Sequence, residues 1–564
     1  MLVAFLIILY ILSVLTLYGQ GLFLIFSKKF PALTQPSLPF LFVVGLMVVT
    51  TLGSFASLFI RLNWEFQTAL FVGAIALLIW NILRRTPLPR LHLNEFSLLQ
   101  KLGLAFFVAV EIVLLYLATL TPSNADTGIY HAQTIHWIEA YPVVPGLANL
   151  HQRFGYDSSW LLANAIFSLA FLNLQSFHLL MGAFFIVMAG YFYGGIHELL
   201  AGKYRLSNLM KLGFFLALFF YLIDQVSSPG TDAPTTLMIF FILTETVRCL
   251  EDRLAARSLP YIFLALLAFF CATFKLSSVP LLVLVLALCI QLNREKDMRS
   301  VGWIALAAFV ILLPYVVRNF ILTGYPVFPG FPFILFNFDW TVPIEQVGTE
   351  SRVIHWFAML PHTSLSKFEA MSKADQIIKW YHNLLPRQKA ILLATALAAG
   401  ADVLLLFVKK WRETLKQNKG FLLVFGAALL GCLFWFITAP AFRFGYGFLL
   451  STLFLFGFLP VSFFLPKFQR WQIGVGAALL IVCVGAVFST VRPEINVGSI
   501  KETIVMPAAY PGISSEPCTF ANFKMLCQVS YEECWYSPFP CAIKGNDHVA
   551  MRSNDYRDGF KYIK

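Results

Sequence analysis

About 14 runs of roughly 15 to 26 mostly apolar residues recur along the 564-residue chain, and most are long enough to cross a hydrocarbon core of roughly 30 Å as helices. In lipid every backbone N–H and C=O must find its partner within the protein, so such runs form helices. They lie near residues 1–26, 38–60, 65–83, 102–120, 177–197, 212–226, 233–247, 259–274, 278–292, 301–317, 390–408, 421–438, 444–465 and 471–490. Only 12% of the residues are charged, against roughly 25% in a soluble domain, too few to cover a water-facing surface. The expected fold is an all-α polytopic membrane protein with about 14 transmembrane helices. No internal repeat, heptad run, P-loop, H-E-x-x-H, G-x-S-x-G or nucleic-acid-binding pattern occurs, so membrane lipids are expected partners and nucleic acid is not.

The net charge of +12 says little until the basic residues are sorted by side. One arrangement places every strongly basic short loop on one face: Lys28 and Lys29; Arg84, Arg85, Arg90 and Lys101; Lys203, Arg205 and Lys211; Arg248, Arg253 and Arg257; Arg294, Lys296 and Arg299; Lys409, Lys410, Arg412, Lys416 and Lys419; and Lys467 with Arg470. These are 22 of the 41 basic residues, and by the positive-inside rule they mark the cytoplasmic face. The arrangement requires the apolar stretch 158–174 to lie on, or dip into, the outer face without crossing. Both termini then lie outside. The first hydrophobic stretch is long and has no basic segment before it, unlike a cleavable signal peptide. Three outer pieces are large enough for chemistry: 121–176, 321–389 and 491–564. The chain divides accordingly into N-terminal helices (1–100), a transmembrane core (101–490) and a tail (491–564).

The tail holds Cys518, Cys527, Cys534 and Cys541, an even set that predicts two disulfides in one of three connectivities. Zinc is the competing reading, but the C-x8-C-x6-C-x6-C spacing has no C-x2-C knuckle. No N-x-S/T sequon is present, which points to a bacterial inner membrane with a periplasmic outer side.

The informative charges are those that break the side rule. Lys275, Arg318 and Arg443 each sit at an outer span end, on three separate helical hairpins. A lone one would snorkel to lipid phosphate; three at one depth point to a function. Asp126 opens the first outer loop and Asp232 starts a later span; either could be a helix N-cap. His131 and His136 share a helical face only approximately, a weak basis for a metal site. Glu111, Asp224, Glu245 and Asp402 fall in or beside four different spans with no shared spacing. Cations at headgroup depth suit a lipid-borne phosphate. A carboxylate above them suits a general base for an acceptor hydroxyl.

The order of these features resembles the GT-C superfamily of membrane glycosyltransferases. The likeness spans roughly residues 101–465: an outer loop opening on Asp126, "GTD" ending at Asp232, Lys275 at an outer span end, "VRNFILTGYPVFP" with Arg318, Asn319, Gly324, Pro326 and Pro329, and "APAFRFGYG" with Pro440 and Arg443. The tail, with "CWYSPFPC" followed by "MRSNDYRDGF", is similar to an uncharacterised family of large bacterial membrane proteins. The resemblance implies a GT-C-like core with surface helices on the outer face and an inverting sugar transfer. The sugar would move from a polyprenyl-phosphate-type donor to a periplasmic or lipid-linked acceptor. Asp126 would be the catalytic base, Lys275, Arg318 and Arg443 would bind the donor phosphate, and Tyr130, His131, Asp232 and Asn319 would line the site. No cofactor is assigned; "NAD" in place of a paired acidic motif leaves a divalent metal open. A transporter or flippase of a lipid-linked glycan, which uses the same cations and cleaves nothing, is the alternative.

Overall fold

The computed structural model describes residues 1–30, 36–84, 96–330, 334–464, 472–495, 497–528 and 533–563. Within them 13 helices are long and apolar enough to cross a membrane. In chain order these are α1 (Leu2–Phe26), α2 (Leu38–Ala56), α3 (Trp64–Leu83), α4 (Leu98–Leu117), α5 (Leu180–Leu200), α6 (Leu206–Gln225) and α7 (Asp232–Glu251), then α9 (Leu276–Arg294), α10 (Met298–Thr323), α11 (Pro386–Leu405), α12 (Lys419–Thr438), α13 (Phe442–Phe463) and α14 (Gly474–Val491). Between α7 and α9 lies α8 (Leu259–Phe274), apolar but only 16 residues long. At 1.5 Å per residue α8 spans about 24 Å, short of a hydrocarbon core of roughly 30 Å, which accounts for 13 full-length helices against an expected 14 or so. The chain is a multi-pass membrane protein. Of the loop cations used to sort the faces, Arg85, Arg90, Lys467 and Arg470 lie outside the described residues.

Local signals set the helix boundaries. Ser97 and Gln100 form a reciprocal capping box at the start of α4, which satisfies two N–H groups that no helical carbonyl can reach. Asp297 accepts from Ser300 N at the start of α10, and Gly324, at φ +86°, ends it. A left-handed residue is needed to turn the chain there, and glycine adopts that region without a Cβ clash.

The stretch 158–174 forms no helix long enough to cross a hydrocarbon core. It forms a nine-residue helix, Ser159–Phe167, whose every residue is buried, wedged against α2 and the helix Ala132–Ala140. Between α10 and α11 further helices cover Ile344–Met359 and Lys373–Asn383.

The all-α expectation fails in the tail. Strands Ser515–Thr519 and Lys524–Gln528 pair antiparallel, Cys541–Ala542 adds a parallel bridge, and Val549–Met551 pairs with Phe560–Tyr562. Alternating short segments tied by cysteines favour strand pairing over helices. The disulfides are Cys518–Cys527 and Cys534–Cys541.

Backbone bonds gather the loops at one end of the bundle. Leu2 N and Val3 N donate to Ile504 O and Val505 O, Ala508 N to Thr119 O, and Phe560 N to Pro145 O. The start of α1, the end of α4 and the tail therefore share one face. The turn after α2 braces the first loop: Val143 N donates to Ser57 O, Leu62 N to Ile138 O, and Asn63 Nδ2 to Glu139 O. The N-terminal helices thus hold the loop that begins at Asp126.

Candidate active site

The chain leaves α4 and turns at once through Asn124. The Asn124 side chain accepts from Asp126 N at 2.9 Å and donates to Gln225 Oε1 at 2.6 Å. Asn124, not Asp126, caps the turn, and the Asp126 carboxylate makes no capping bond. One turn of π-helix follows over Thr127–His131, closed by Ala132 N donating to Thr127 O. Such wide turns recur at functional sites because they re-aim neighbouring side chains. This one buries Tyr130 and His131.

The capping reading also fails for Asp232, the first residue of α7, which makes no side-chain cap bond. Its carboxylate is occupied by cations: Lys275 Nζ bonds to Oδ1, and Arg443 Nε lies 3.5 Å from Oδ2. Arg443 Nη2 also reaches Asp126 Oδ2 at 2.8 Å, so one guanidinium bridges the two carboxylates. Arg153 Nη1 takes the other Asp126 oxygen at 3.2 Å. Phe444 lies beneath both cations, with Lys275 Nζ 3.6 Å and Arg443 Cζ 4.9 Å from its ring centroid. Helix ends from α7, α8 and α13 and the loop after α4 thus converge on one charged cluster.

The cluster carries three cations and two carboxylates, leaving one positive charge uncompensated. Burial pushes the Asp126 carboxyl up, but Arg443, Arg153 and Lys275 outweigh burial and hold it below the usual carboxylate range. Burial lowers His131 to about 4, so it is neutral at pH 7. Its Nδ1 pairs with Thr127 Oγ1 at 3.2 Å, and its Nε2 has no partner among the described residues. Burial, then the charges of Asp126 and Asp232, push the Tyr130 phenol up, so it stays protonated.

Arg318 and Asn319 do not join this cluster. Arg318 is locked to Asp157: Nε reaches Oδ1 at 3.2 Å and Oδ2 at 3.3 Å, Nη2 reaches Oδ1 at 3.1 Å, and Nη1 donates to Ser57 Oγ at 2.7 Å. Asn319 is wholly buried and donates to Tyr315 O within α10. The reason is local. Arg153 and Asp157 lie on one short segment, "RFGYD", so Arg318 fixes the strap that delivers Arg153 to Asp126. Gly155 lets that strap lie against α10, since a Cβ there would stand 2.8 Å from Thr323 Cγ2. Ser158 Oγ donates to Phe274 O at 2.8 Å, tying the strap to the residue before Lys275. Arg153 went unrecognised as a candidate because a single arginine in a polar loop reads as a solvated charge.

His136 and Glu139 face the tail. The His136 ring stacks on Tyr536 and Phe539, and Tyr536 OH donates to Glu139 Oε2 at 2.6 Å. Gln133 Nε2 donates to the carbonyls of Trp535, Tyr536 and Pro538, and its Oε1 accepts from Cys541 N. Trp535 N donates to Gly128 O, so the disulfide-bonded loop clamps the turn beside Asp126. Among the described residues no group of three or more His, Cys, Asp or Glu side chains forms a metal site.

Of the carboxylates in or beside spans, Glu245 is paired with Arg248, while both Glu111 oxygens and Asp402 Oδ1 lack partners among the described residues. No curated protein and no solved structure matches the chain. A family profile covers residues 1–450, taking in the first three helices together with Asp126, Asp232, Lys275 and Arg443, and by that match the chain belongs to the family described as a domain of unknown function, DUF8201.

Proposed function

We propose that this protein is a GT-C-type membrane glycosyltransferase that moves a sugar from a polyprenyl-phosphate donor to a periplasmic or lipid-linked acceptor. The face bearing Asp126 and both termini is then the periplasmic face of a bacterial inner membrane. One observation carries this reading: Arg443 bridges Asp126 and Asp232 beside Lys275 and Arg153, leaving a single excess positive charge. A phosphodiester brings one negative charge and neutralises that excess.

The carboxylates act as placeholders for the donor. When the phosphate takes Arg443 and Lys275, Asp126 loses cations that depress its pKa, and its basicity rises where a base is needed. Asp126 then takes the proton of the acceptor hydroxyl. The acceptor oxygen bonds to the anomeric carbon from the face opposite the lipid phosphate. The carbon–oxygen bond to that phosphate breaks with its electron pair, and the configuration inverts. Lys275 and Arg443 stabilise the charge that grows on the departing phosphate, in a site where partial exclusion of water strengthens them. Tyr130 and His131, both neutral, shape the wall and add no competing charge.

The test is transfer of radiolabelled sugar from polyprenyl phosphate to candidate acceptors by purified protein. Asp126→Asn is expected to lower transfer about 10²- to 10⁴-fold while donor binding persists. Equal transfer by the wild type and Asp126→Asn removes the assigned base. Donor bound and moved between leaflets but never cleaved by the wild type identifies a flippase instead.

A further inference from the structure

The two arginines that hold Asp126 come from segments far apart in the chain, and one helix between the spans α10 and α11 reaches both segments. On that helix, Ile344–Met359, Glu350 accepts a hydrogen bond from Tyr156 OH, in the strap that carries Arg153. His355, five positions further on, donates from Nδ1 to Thr438 O at 2.9 Å, at the end of α12 and just before the turn that carries Arg443. Five helical residues span roughly 7.5 Å, so the helix acts as a spacer between the two segments. The helix Lys373–Asn383 supports the same turn, where Trp380 Nε1 donates to Pro440 O at 3.0 Å.

Glu350 is the unusual member of this set. It is buried, and among the described residues its carboxylate has the Tyr156 phenol as a partner and no cation. Burying a carboxylate that no cation balances costs stability, so packing alone gives no reason for one here. An ionised acceptor does make a stronger bond to a hydroxyl than a neutral one. Burial, then the charge of Glu350, pushes the Tyr156 phenol well up, so it remains a donor.

The bond is passed on to Arg153 by the backbone. Tyr156 N donates to Arg153 O at 3.1 Å, closing the short 3-10 turn Gln152–Gly155, so fixing Tyr156 fixes Arg153. The Tyr130 ring meets Tyr156 edge-on, with centroids 5.8 Å apart, and its centroid lies 5.9 Å from Arg153 Cζ. Arg318 pins the next residue, Asp157, from α10. Glu350 is therefore a second tether of the strap, nearer to Arg153.

We propose that Glu350 is a positioning residue: through Tyr156 it holds Arg153 against Asp126, and Arg153 sets the strength of that base once the donor has taken Arg443 and Lys275. The inference rests on the proposed transfer reaction for its purpose, though not for its geometry. Asp126 is faced by Arg443 from α13, Lys275 after α8, Arg153 from the strap, Tyr130 and His131 from its own turn, and Asp232 across the shared Arg443. A loosened Arg153 favours the charged carboxylate less, so Asp126 takes up its proton at higher pH.

The test is the titration of Asp126 in the full-length, donor-free protein in nanodiscs, followed by infrared spectroscopy of its carboxylate, with Asp126→Asn identifying the band. It needs no turnover, so an absence of sugar transfer would overturn the transfer reaction and leave this measurement standing. Tyr156→Phe alters no charge and should move the midpoint to higher pH. Glu350→Ala should do the same, while Glu350→Gln, which keeps an acceptor for the phenol, should stay nearer the wild type. Arg352→Gln, on the exposed side of the same helix, should leave the midpoint in place. In an Arg153→Gln background, where the midpoint is already raised, Tyr156→Phe should add nothing. If Glu350→Ala does not fold, Tyr156→Phe decides. An unchanged midpoint in Tyr156→Phe, a fall in Glu350→Ala, which loss of a nearby negative charge alone would give, or a further rise from Tyr156→Phe in the absence of Arg153 would each overturn the proposal.

Discussion

Arg443 and Arg318 are the same residue type, each at a helix end on the Asp126 face, and each meets aspartate, yet their surroundings differ completely. The Arg318 side chain is 4% exposed and Asp157 5%, and each of the three guanidinium nitrogens is engaged with that one carboxylate or one hydroxyl. The Arg443 side chain is 42% exposed and divides itself between two carboxylates that other cations also hold. A buried one-to-one pair is a lock, because removing either partner strands a charge away from water. A shared, wetter cation can exchange one anion for another at small cost. The difference separates a residue that builds the site from one equipped to meet a ligand.

The largest effect that tests this contrast is on stability. Arg318→Ala should cost about 3–5 kcal/mol by leaving Asp157 unpaired, read as a drop in chemical or thermal unfolding midpoint. A variant as stable as the wild type would remove the lock from the argument. Arg443→Ala should behave in the opposite way, with unfolding little changed and sugar transfer down about 10²- to 10³-fold. Should Arg443→Ala unfold as readily as Arg318→Ala, the two arginines are equivalent and the contrast fails.

A smaller effect concerns the clamp on the turn beside Asp126. Replacing Cys534 and Cys541 together by serine should loosen the tail by about 2–3 kcal/mol, as expected for so short a cross-linked loop. Hydrogen exchange should then rise in the tail around Trp535 and in Ala132–Ala140, leaving Arg318 and Asp157 protected. Exchange that is unchanged in both segments would show that the clamp does not depend on the disulfide.

The smallest effect is a pH dependence. Burial, opposed by the hydrogen bond from Tyr536, raises Glu139 to about 7, whereas in the unfolded chain a glutamate titrates near about 4.3. Between these values the folded state holds a proton that the unfolded state has lost, so stability falls as pH rises across that window and levels off above it. Protection of the Ala132–Ala140 amides, measured relative to their intrinsic exchange rate at each pH, should therefore fall from pH 5 to pH 7, and Glu139→Gln should flatten that profile. A flat profile in the wild type would show that Glu139 is not the titrating group.

Much of this was legible in the sequence, for reasons that can be named. Lys275 and Arg443 stood out because they sit where the positive-inside rule disfavours them, and both meet Asp232 while Arg443 also meets Asp126. Arg318 stood out by the same rule, and the rule was silent about Asp157, 161 residues away in sequence. Arg153 gave no signal, because nothing local distinguishes a loop arginine that bridges to a carboxylate from one in water. The tail cysteines predicted the bonding, but not that their loop would grip Gln133 and His136.

Composition and the lengths of apolar runs by themselves determined that this is a helical membrane protein, which helix ends carry anomalous charge, and that the tail is cross-linked. These follow from the chain's interaction with lipid, water and redox environment, which acts on each segment separately. Only the tertiary structure decided which cation faces which carboxylate, that the turn between α2 and α3 braces the Asp126 loop, and that Arg318 is spent on Asp157. Those outcomes depend on packing between segments far apart in the chain, and no local pattern encodes the distance between two side chains brought together by different helices.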